Sequence, residues 1–366
     1  MKRADGLFEK IISDENLDLA IKKVNASHHW RPRHIPNKCT AWVERTKDER
    51  REELRQIILN GFEQQKPKVK QRYDASARKW RTISEPRLWP DQYVHHALIQ
   101  VIKPVILKGM DQFCCGSVEG RGTHYGAKAI RKWMRGDRKG TKYCLAMDIR
   151  HFYDSLTKEA VMGRMRKIIK DGRTLDLIEQ TLVFGVLIGA YTSQWYANAV
   201  LQDIDHMIRE GGFGVAHYIR YIDNFTVFGP NKRKLRKLRV AVLNALAGFG
   251  LTLKGDWQVF PSDKRLPNAL GYRYGRDYTL PRKNNLLRLK RKIALWRKRT
   301  RRGVVTQARD AVGLLSRLGQ LRHCNNHRHY VRLFRGEKVM QILKQTVRAA
   351  QAKRMTWPEY LLLHAA

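Results

Sequence analysis

The spacing of hydrophobic and polar positions predicts that helices open the chain and that a hairpin follows them. Residues 1–65 are predicted to be mostly helical, with a strongly charged stretch at 44–64. A basic segment at 66–84 alternates as a β-hairpin does, and residues 91–108 have helical periodicity until Pro104 interrupts it. The N-terminal third of the chain is therefore expected to contain both helices and strands.

Strands and helices alternate through the rest of the chain. Residues 143–148, YCLAMD, form a short apolar run that ends in an acid and predicts a buried strand. Residues 218–228 alternate and carry β-branched and aromatic side chains, which predicts a hairpin that ends at Gly229-Pro230. The other predicted elements are helices at 157–184, 194–209 and 231–249, a strand pair at 266–278, and a basic helical region from 286 onward.

The net charge of the chain indicates what kind of molecule it binds. The 366 residues include 73 Lys and Arg against 33 Asp and Glu, a formal net charge of +40. A surface this basic repels itself, so the expected partner is a polyanion, of which nucleic acid is the commonest. The hydrophobic fraction of 43% is enough for a core and argues against a disordered basic tail. Six cations lie at 232–239, and twelve lie at 278–309, where the sequence has no acid.

Cysteine usage and hydropathy favour a cytoplasmic protein with no membrane partner. Five cysteines without a C-x-x-C pair argue against a disulfide framework or a zinc knuckle. The first residues lack the apolar run of a signal peptide. The uncharged stretch at 180–202 is long enough to cross a bilayer, but seven Gln, Asn, Ser and Thr side chains would be costly in lipid. We expect a buried segment there.

Two acids stand at the edges of strand-like runs, Asp148 in CLAMDIRHFY and Asp223 in YIRYIDNFTVF. Taken singly, either Asp is more simply a solvated turn residue. Taken together, two acids from distant strands are what nucleotidyl transfer needs, because Mg²⁺ prefers carboxylate and phosphate oxygens and two such ions act on the primer 3′-hydroxyl and the triphosphate.

Three blocks in a fixed order carry a resemblance. They are DIRHFY at 148–153, GVLIGAYTSQWYAN at 185–198 and YIDN at 221–224. Over roughly residues 70–330 the chain resembles the reverse transcriptase family. The resemblance implies an α+β fold, a right-hand polymerase with fingers, a palm built on an antiparallel sheet, and a helical thumb. It implies an N-terminal helical extension at 1–66, fingers at 67–142, the palm at 143–280, and a basic thumb and C-terminal tail at 281–366.

The resemblance also assigns the chemistry. Asp148, Asp223 and Asn224 are the implied catalytic residues, and Asp148, Asp223 and Ile149 are implied at two Mg²⁺ ions. The family usually has a second acid where this chain has Asn224, which removes one charge from the site. Mn²⁺ tolerates such mixed ligands better than Mg²⁺, so Mn²⁺ is an alternative cofactor.

Residues for the incoming dNTP follow from the same comparison. Lys79 and Arg81, in RKWRTISEP at 78–86, resemble the cations that grip the triphosphate, although they could instead belong to a solvated basic face. Tyr153 resembles the aromatic residue that excludes a ribose 2′-hydroxyl. Ile188 and Gln194 are expected to line the nascent base pair.

Residues of the loops and of the thumb are expected to contact the RNA template and the RNA/DNA hybrid. The implied template and primer residues are Gly189, Ser193, Tyr272, Arg288, Lys290, Arg291 and Arg297. Tyr272 lies in LGYR at 270–273, which resembles the primer-grip hairpin. We expect the basic groups at 231–239 and 278–309 to grip the nucleic acid on the thumb side of the two acids, through contacts that read no sequence.

The subfamily is predicted from the template-lining block. Most reverse transcriptases have Gln-Gly where this chain has Ile188-Gly189, and an aliphatic residue followed by TSQ is similar to the polymerases of diversity-generating retroelements. That resemblance implies low fidelity at template adenines and a small accessory protein. Three alternatives stay open: a bacterial antiviral defence reverse transcriptase, a non-catalytic maturase-like RNA-binding protein, which Asn224 favours, and a ribosome-like basic protein.

Overall fold

Residues 2–31, 35–74, 79–334, 338–352 and 356 are described by the structure, a computed structural model. Helices and antiparallel sheets are mixed along the chain. The helices are α1 (Phe8–Ile11), α2 (Asp14–His28), α3 (Lys38–Arg45), α4 (Lys47–Leu59), α5 (Tyr93–Lys108), α6 (Thr123–Gly136), α7 (Phe152–Ser155), α8 (Lys158–Ile168), α9 (Gly172–Gln180), α10 (Ser193–Val200), α11 (Gln202–Glu210), α12 (Lys232–Ala247), α13 (Lys283–Arg301), α14 (Ala308–Leu321), α15 (His327–Phe334) and α16 (Lys338–Ala352).

Four sheets join the strands, and every strand pair is antiparallel. The strands are β1 (Trp30–Arg31), β2 (Ile35–Pro36), β3 (Lys68–Asp74), β4 (Lys79–Glu85), β5 (Tyr143–Asp148), β6 (His217–Tyr221), β7 (Asn224–Gly229), β8 (Gln258–Pro261), β9 (Asn268–Ala269), β10 (Tyr272–Tyr274) and β11 (Thr279–Pro281). The central sheet has the order β6-β7-β5-β8, and β3 pairs with β4 as the predicted hairpin. The 266–278 region forms two of the strands in the sheet β11-β10-β9.

The structure has helices where the sequence predicted them, but it differs in where three of them break or continue. The predicted helix at 157–184 is two helices, because Asp171 caps α9 through the Thr174 N–H and also accepts from the N–H groups of Leu7 and Phe8. The predicted helix at 194–209 is α10 and α11, which break at Leu201. Helix α5 continues through Pro104 to Lys108, since Pro104 lies on the exposed side, where a carbonyl without a partner can reach water.

The central sheet separates two hydrophobic cores. Leu145 and Met147 of β5 belong to the larger core, which also holds the apolar face of α12. Cys144 points to the other side, into a smaller core with α6 and the β9–β11 sheet. Side chains alternate along a strand, so Asp148 projects on the same side as Cys144. A third core joins α13, α14 and α16.

Within the described residues, no helix is long and apolar enough to cross a membrane. The uncharged stretch at 180–202 instead contains the end of α9, a loop and the whole of α10, and Trp195 and Tyr196 of that stretch are buried. The expectation of a buried segment is therefore correct for α10 but not for the loop before it, where Val183 and Phe184 are exposed.

Candidate active site

The two predicted acids lie close together at one end of the paired inner strands β5 and β7 of the central sheet. Asp148 ends β5 directly opposite Asn224, the first residue of β7. Asp223 lies in the tight turn between β6 and β7, and its carbonyl oxygen accepts a hydrogen bond from the Ile149 N–H at 3.0 Å. Residues 75 positions apart in sequence are thus fixed together by backbone hydrogen bonds. Ile149 takes part through its backbone, since its side chain is fully buried.

The carboxyl group of Asp148 lies in a partly desolvated, highly charged setting. Burial raises its pKa, and the negative charges of Asp223 and Asp256 raise it further. Lys254 opposes this by pairing its ammonium with the Asp148 carboxylate, and the Lys254 N–H also donates to the Asp148 carbonyl oxygen at 2.8 Å. A cation therefore stands on the carboxylate at the place where the sequence predicts metal ligands.

Asn224 interacts with Asp223 directly. Its side-chain amide donates to Asp223 Oδ1 at 2.8 Å. Both residues lie at the solvent-facing end of the hairpin, and Asn224 is exposed. The neutral amide thus orients the Asp223 carboxylate, which an ionised second acid could not do as a donor.

A cavity of about 380 Å³ beside the two acids gathers five of the predicted residues. It is lined by Arg81, Ile149, Tyr153, Ile188 and Asp223, together with Lys254. Burial, and then the charge of Asp223, raises the pKa of the Tyr153 phenol to about 12, so the ring presents a neutral surface. The structure therefore brings the predicted steric gate, a triphosphate-binding cation and one acid to the same space.

Arg81 reaches this cavity from the fingers hairpin. Its Nε donates to Asp74 Oδ2 at 2.8 Å, across the β3–β4 pair. The predicted partner Lys79 begins β4, and its side chain lies outside the described part of the chain.

A larger cleft of about 770 Å³ continues from the acids toward α13. Asp148, Asn224, Tyr272 and Arg288 line it, and Arg282 joins them from the end of β11. Burial lowers the pKa of the Arg282 guanidinium, while the charge of Asp148 opposes that shift. The predicted primer-grip tyrosine and one thumb arginine thus share a cleft with the catalytic edge.

The four predicted thumb cations divide between two faces of α13. Arg288 lines the cleft, and Arg291, three residues later, lies on the same helical face. Lys290 and Arg297 are seven residues apart and share a different face. The guanidinium of Arg297 donates to the Leu333 carbonyl in α15, which holds the thumb together.

Three other predicted residues, one assigned to the base pair and two to the template, line neither of these two cavities. Gln194 lines a separate cavity of about 470 Å³ with Tyr191 and Tyr221, and Ser193 is only 3% exposed at the start of α10. Gly189 has a φ of +124°, and a Cβ there would come within 3.1 Å of the Ser84 carbonyl oxygen in β4. Glycine is therefore required for this loop to pack on the fingers hairpin.

A buried ion pair supports the turn between β6 and β7 that carries Asp223. Arg220 donates from Nε and Nη2 to the two oxygens of Asp205, each at 2.7 Å, and both side chains are at most 1% exposed. Arg220 Nη1 also donates at 3.0 Å to Asn198 Oδ1 and to the Ile222 carbonyl, one residue before Asp223. Ile222 has a φ of +57°, which is strained for a β-branched residue.

Sequence reasoning missed Lys254, Asp256 and Arg220. The apolar run LTLKG at 251–255 ends in Lys254 much as YCLAMD ends in Asp148, and that parallel could have identified it. Arg220 lies on the same face of β6 as Tyr218, two residues earlier, and a cation on the face that an aromatic residue marks as inward was the available sign.

Comparison with known proteins adds a family to this geometry. The family model described as "Reverse transcriptase (RNA-dependent DNA polymerase)" matches residues 65–272, more than half of the chain. The chain is 26% identical over 101 residues to "Nuclear intron maturase 1, mitochondrial" of Arabidopsis thaliana, a match that covers 28% of this chain and 14% of that protein.

Two solved structures of telomerase are also similar. Apo telomerase from Candida tropicalis has 10% identity and a TM-score of 0.47, covering 75% of this chain and 66% of that one. Telomerase from Candida tropicalis in complex with a fragment of telomeric RNA has 13% identity and a TM-score of 0.48, covering 68% and 52%. The chain thus spans less than two thirds of each of these relatives.

Proposed function

The chain belongs to the reverse transcriptase family, as its motifs predicted, and we propose that it is an RNA-directed DNA polymerase that copies RNA into cDNA. Its α+β architecture is the right-hand polymerase fold of the prediction. The observation that carries the proposal is the meeting of Asp148 and Asp223 at one sheet edge, with Arg81 and Tyr153 around the adjoining cavity.

The carboxylates suit divalent metal ions. Asp148 and Asp223 offer hard oxygen ligands, and the ammonium of Lys254 already occupies the Asp148 carboxylate as a cation would. These two acids would hold Mg²⁺ or Mn²⁺, which supply activation of a 3′-hydroxyl and charge balance for a triphosphate. Asn224 fixes the Asp223 carboxylate through its amide.

The protein's own side chains provide binding and selection. The Arg81 guanidinium, which contacts Asp74 through Nε, has the geometry to take phosphate oxygens at its other nitrogens, and Lys79 of the same strand is the second proposed cation. Tyr153 presents its ring to the cavity and selects deoxyribose over ribose. Ile188 and Gln194 flank the nascent base pair in this proposal.

Nucleic acid would lie in the larger cleft. Arg288 lines it from α13, Arg291 follows three residues later on the same helical face, and both would bind the backbone of the RNA template or the RNA/DNA hybrid without reading its sequence. Tyr272 supports the primer, and Gly189 and Ser193 shape the loop on the template side. Arg297 also joins α13 to α15 through the Leu333 carbonyl, while Lys290 remains a proposed backbone contact on the same helical face.

The finer assignment is a polymerase of a diversity-generating retroelement, with a small accessory protein as partner. Ile188 supports it, because an aliphatic side chain beside the base pair cannot donate the hydrogen bond that the usual Gln would. A defence-associated reverse transcriptase is the alternative. Sequencing of cDNA from the parent and from Ile188→Gln decides: errors concentrated at template adenines in the parent alone support the assignment, and an even, low error rate in both contradicts it.

A second candidate function is RNA binding without catalysis. The similarity to a plant maturase and the Asp-Asn pair at 223–224 favour it. Primer extension on an RNA template, in Mg²⁺ and then in Mn²⁺, separates the two. We expect product from the parent, none from Asp223→Asn, and undiminished Mg²⁺-dependent product from the matched variant Asn224→Asp. Absence of product with either metal would favour the binding protein.

A further inference from the structure

The basic helix α12 lies on the side of the central sheet that faces away from the catalytic acids. Its four inward residues pack in the larger core, the one that Leu145 and Met147 of β5 enter. Asp148 projects from the opposite side of β5, with Cys144. The sheet therefore lies between most of this helix and the cleft, whereas Arg239 stacks over Trp257, which lines the cleft. The expectation that 231–239 grips nucleic acid on the thumb side of the acids stays a prediction.

The outward face of α12 is an unbalanced basic surface. Arg233, Lys234, Arg236 and Lys237 are exposed, and we call these four residues the back-face cluster. Within the described part of the chain, none of them forms a salt bridge. Nor does the sequence offer a local partner, since it has no acid between Asp223 and Asp256.

Cations on a charged helix of this protein need not be unpaired, as helix α4 shows. Arg50, Arg51 and Arg55 of α4 all pair with carboxylates, mostly of α4 itself and of α2. In α4 the basic residues are thus neutralised within the protein. In the back-face cluster no carboxylate of the described residues does this, so the cations are balanced by solvent counter-ions, which a bound polyanion would replace.

The position of the cluster along α12 is itself unfavourable. The first turns of a helix carry a partial positive charge, which acidic side chains normally balance. Helix α12 has no acid in its first turn, and only the side chain of Asn231 caps it, accepting from the N–H groups of Arg233 and Lys234. Cations therefore add to the positive end of the helix dipole, which destabilises the free protein and favours an anion bound there.

We propose that the back-face cluster binds the phosphate backbone of RNA that extends beyond the template cleft. Four cations over little more than one helical turn, next to a helix N-terminus, suit the closely spaced phosphates of a folded RNA strand. Val240 is the one exposed large apolar residue of α12, so the surface lacks the apolar face with which helices enter lipid. This inference goes beyond nucleotide addition and uses the proposed function only to identify the polyanion as RNA.

The test compares two variants of equal net charge. In the first, the four residues of the back-face cluster are changed to Gln. In the control, Arg166, Lys167, Lys170 and Arg173 are changed to Gln, four exposed cations that all have acidic partners. Each variant lowers the net charge of +40 by four, so a difference between them reports location rather than total charge.

Two probes separate the back face from the cleft. One is a short RNA template annealed to a DNA primer, and the other is a long, hairpin-bearing RNA without primer. We expect the cluster variant to bind the long RNA about tenfold or more weakly, with a salt slope lower by about 3, since each lost phosphate contact removes about 0.7–0.9. The control should match the parent on both probes, and both variants should extend the short primer normally.

Three results would overturn the proposal. The first is equal affinity of the cluster variant and the control for the long RNA. The second is an equal loss on the short hybrid, which would place the cluster in the cleft. The third is that vesicles of phosphatidylserine and phosphatidylcholine compete fully with the long RNA. Failure of the parent to extend any primer would contradict the polymerase assignment instead, and would leave the binding comparison intact. Thermal unfolding checks folding, and the cluster variant should be at least as stable as the parent because its helix dipole is relieved.

Discussion

Removing Arg220 should both destabilise the protein and loosen the catalytic turn. Arg220→Met deletes two hydrogen bonds to Asp205, one to Asn198 and one to the Ile222 carbonyl. The Asp205 carboxylate then stays buried, with the Tyr218 hydroxyl as its one remaining hydrogen-bond donor among the described contacts. The carbonyl that precedes Asp223 loses its side-chain donor at the same time.

The size of the effect follows from burial. Breaking a buried ion pair by removing one partner costs about 3–5 kcal/mol, because the other charge is left uncompensated. The matched control is Arg299→Met, which breaks a pair with Asp310 whose side chains are 53% and 42% exposed. An exposed pair of this kind contributes less than about 1 kcal/mol. The two substitutions remove the same atoms, so the difference between them measures burial.

A double variant separates stability from positioning. Arg220→Met with Asp205→Asn leaves no buried charge, and the Asn oxygen can still accept from Tyr218. We expect its free energy of unfolding to exceed that of Arg220→Met alone. Its kcat for primer extension and its affinity for Mn²⁺ should remain low, because the Ile222 carbonyl still lacks the Arg220 donor.

Urea unfolding and single-turnover extension provide the readouts. A loss for Arg220→Met no larger than that for Arg299→Met would refute the account of the buried pair. Full kcat and Mn²⁺ affinity in the double variant would refute the positioning role, even if the stability argument held.

Three further predictions rest on neighbouring contacts. Gly116→Ala should reduce extension sharply, with unchanged short-hybrid affinity, since a Cβ there would lie 2.5 Å from Ile222 Cγ1 and 2.7 Å from Ile222 N. Lys254 lowers the raised pKa of Asp148, so Lys254→Met should raise the pH below which Mn²⁺ binding is lost. Electron paramagnetic resonance measures that binding as a function of pH, and an unchanged pH dependence would contradict the ion pair. Burial lowers the pKa of His95 to about 3, so the unfolded state binds more protons below pH 6.5, and stability should fall by about 2 kcal/mol from pH 7 to pH 5. Denaturation at both pH values in His95→Gln should show a smaller loss.

The sequence could predict that Asp148 and Asp223 come together because the information there is local. An apolar run that ends in Asp148 and an alternating pair of runs around Asp223 each define a strand end. Antiparallel pairing of β5 with β7 then brings those ends together without further assumptions. The same holds for the β3–β4 hairpin that carries Arg81.

Features that depend on distant contacts escaped prediction. The break before α9 requires Asp171 to meet the N-terminus of the chain, 163 or more residues away. The partner of Arg220 lies on another element, so its sequence neighbours do not reveal a buried pair. The outward side of α12 was clear from its periodicity, but the side of the sheet it covers depends on which way β5 points its alternate residues.

The carboxylates of Asp148 and Asp223 repel each other, and the fold places the ammonium of Lys254 beside Asp148. Arg81 and the basic cleft attract a triphosphate, while Asp148 and Asp223 repel it from the same cavity edge. Burial and mutual repulsion already raise the pKa of Asp148, so the pair of carboxylates is costly in the absence of a partner. In the free protein the ammonium of Lys254 offsets this repulsion by pairing with the Asp148 carboxylate. A divalent ion would have to displace that ammonium to use the same oxygen. Competition between lysine and metal for one carboxylate therefore follows from the position of Lys254, whichever template the cleft accepts.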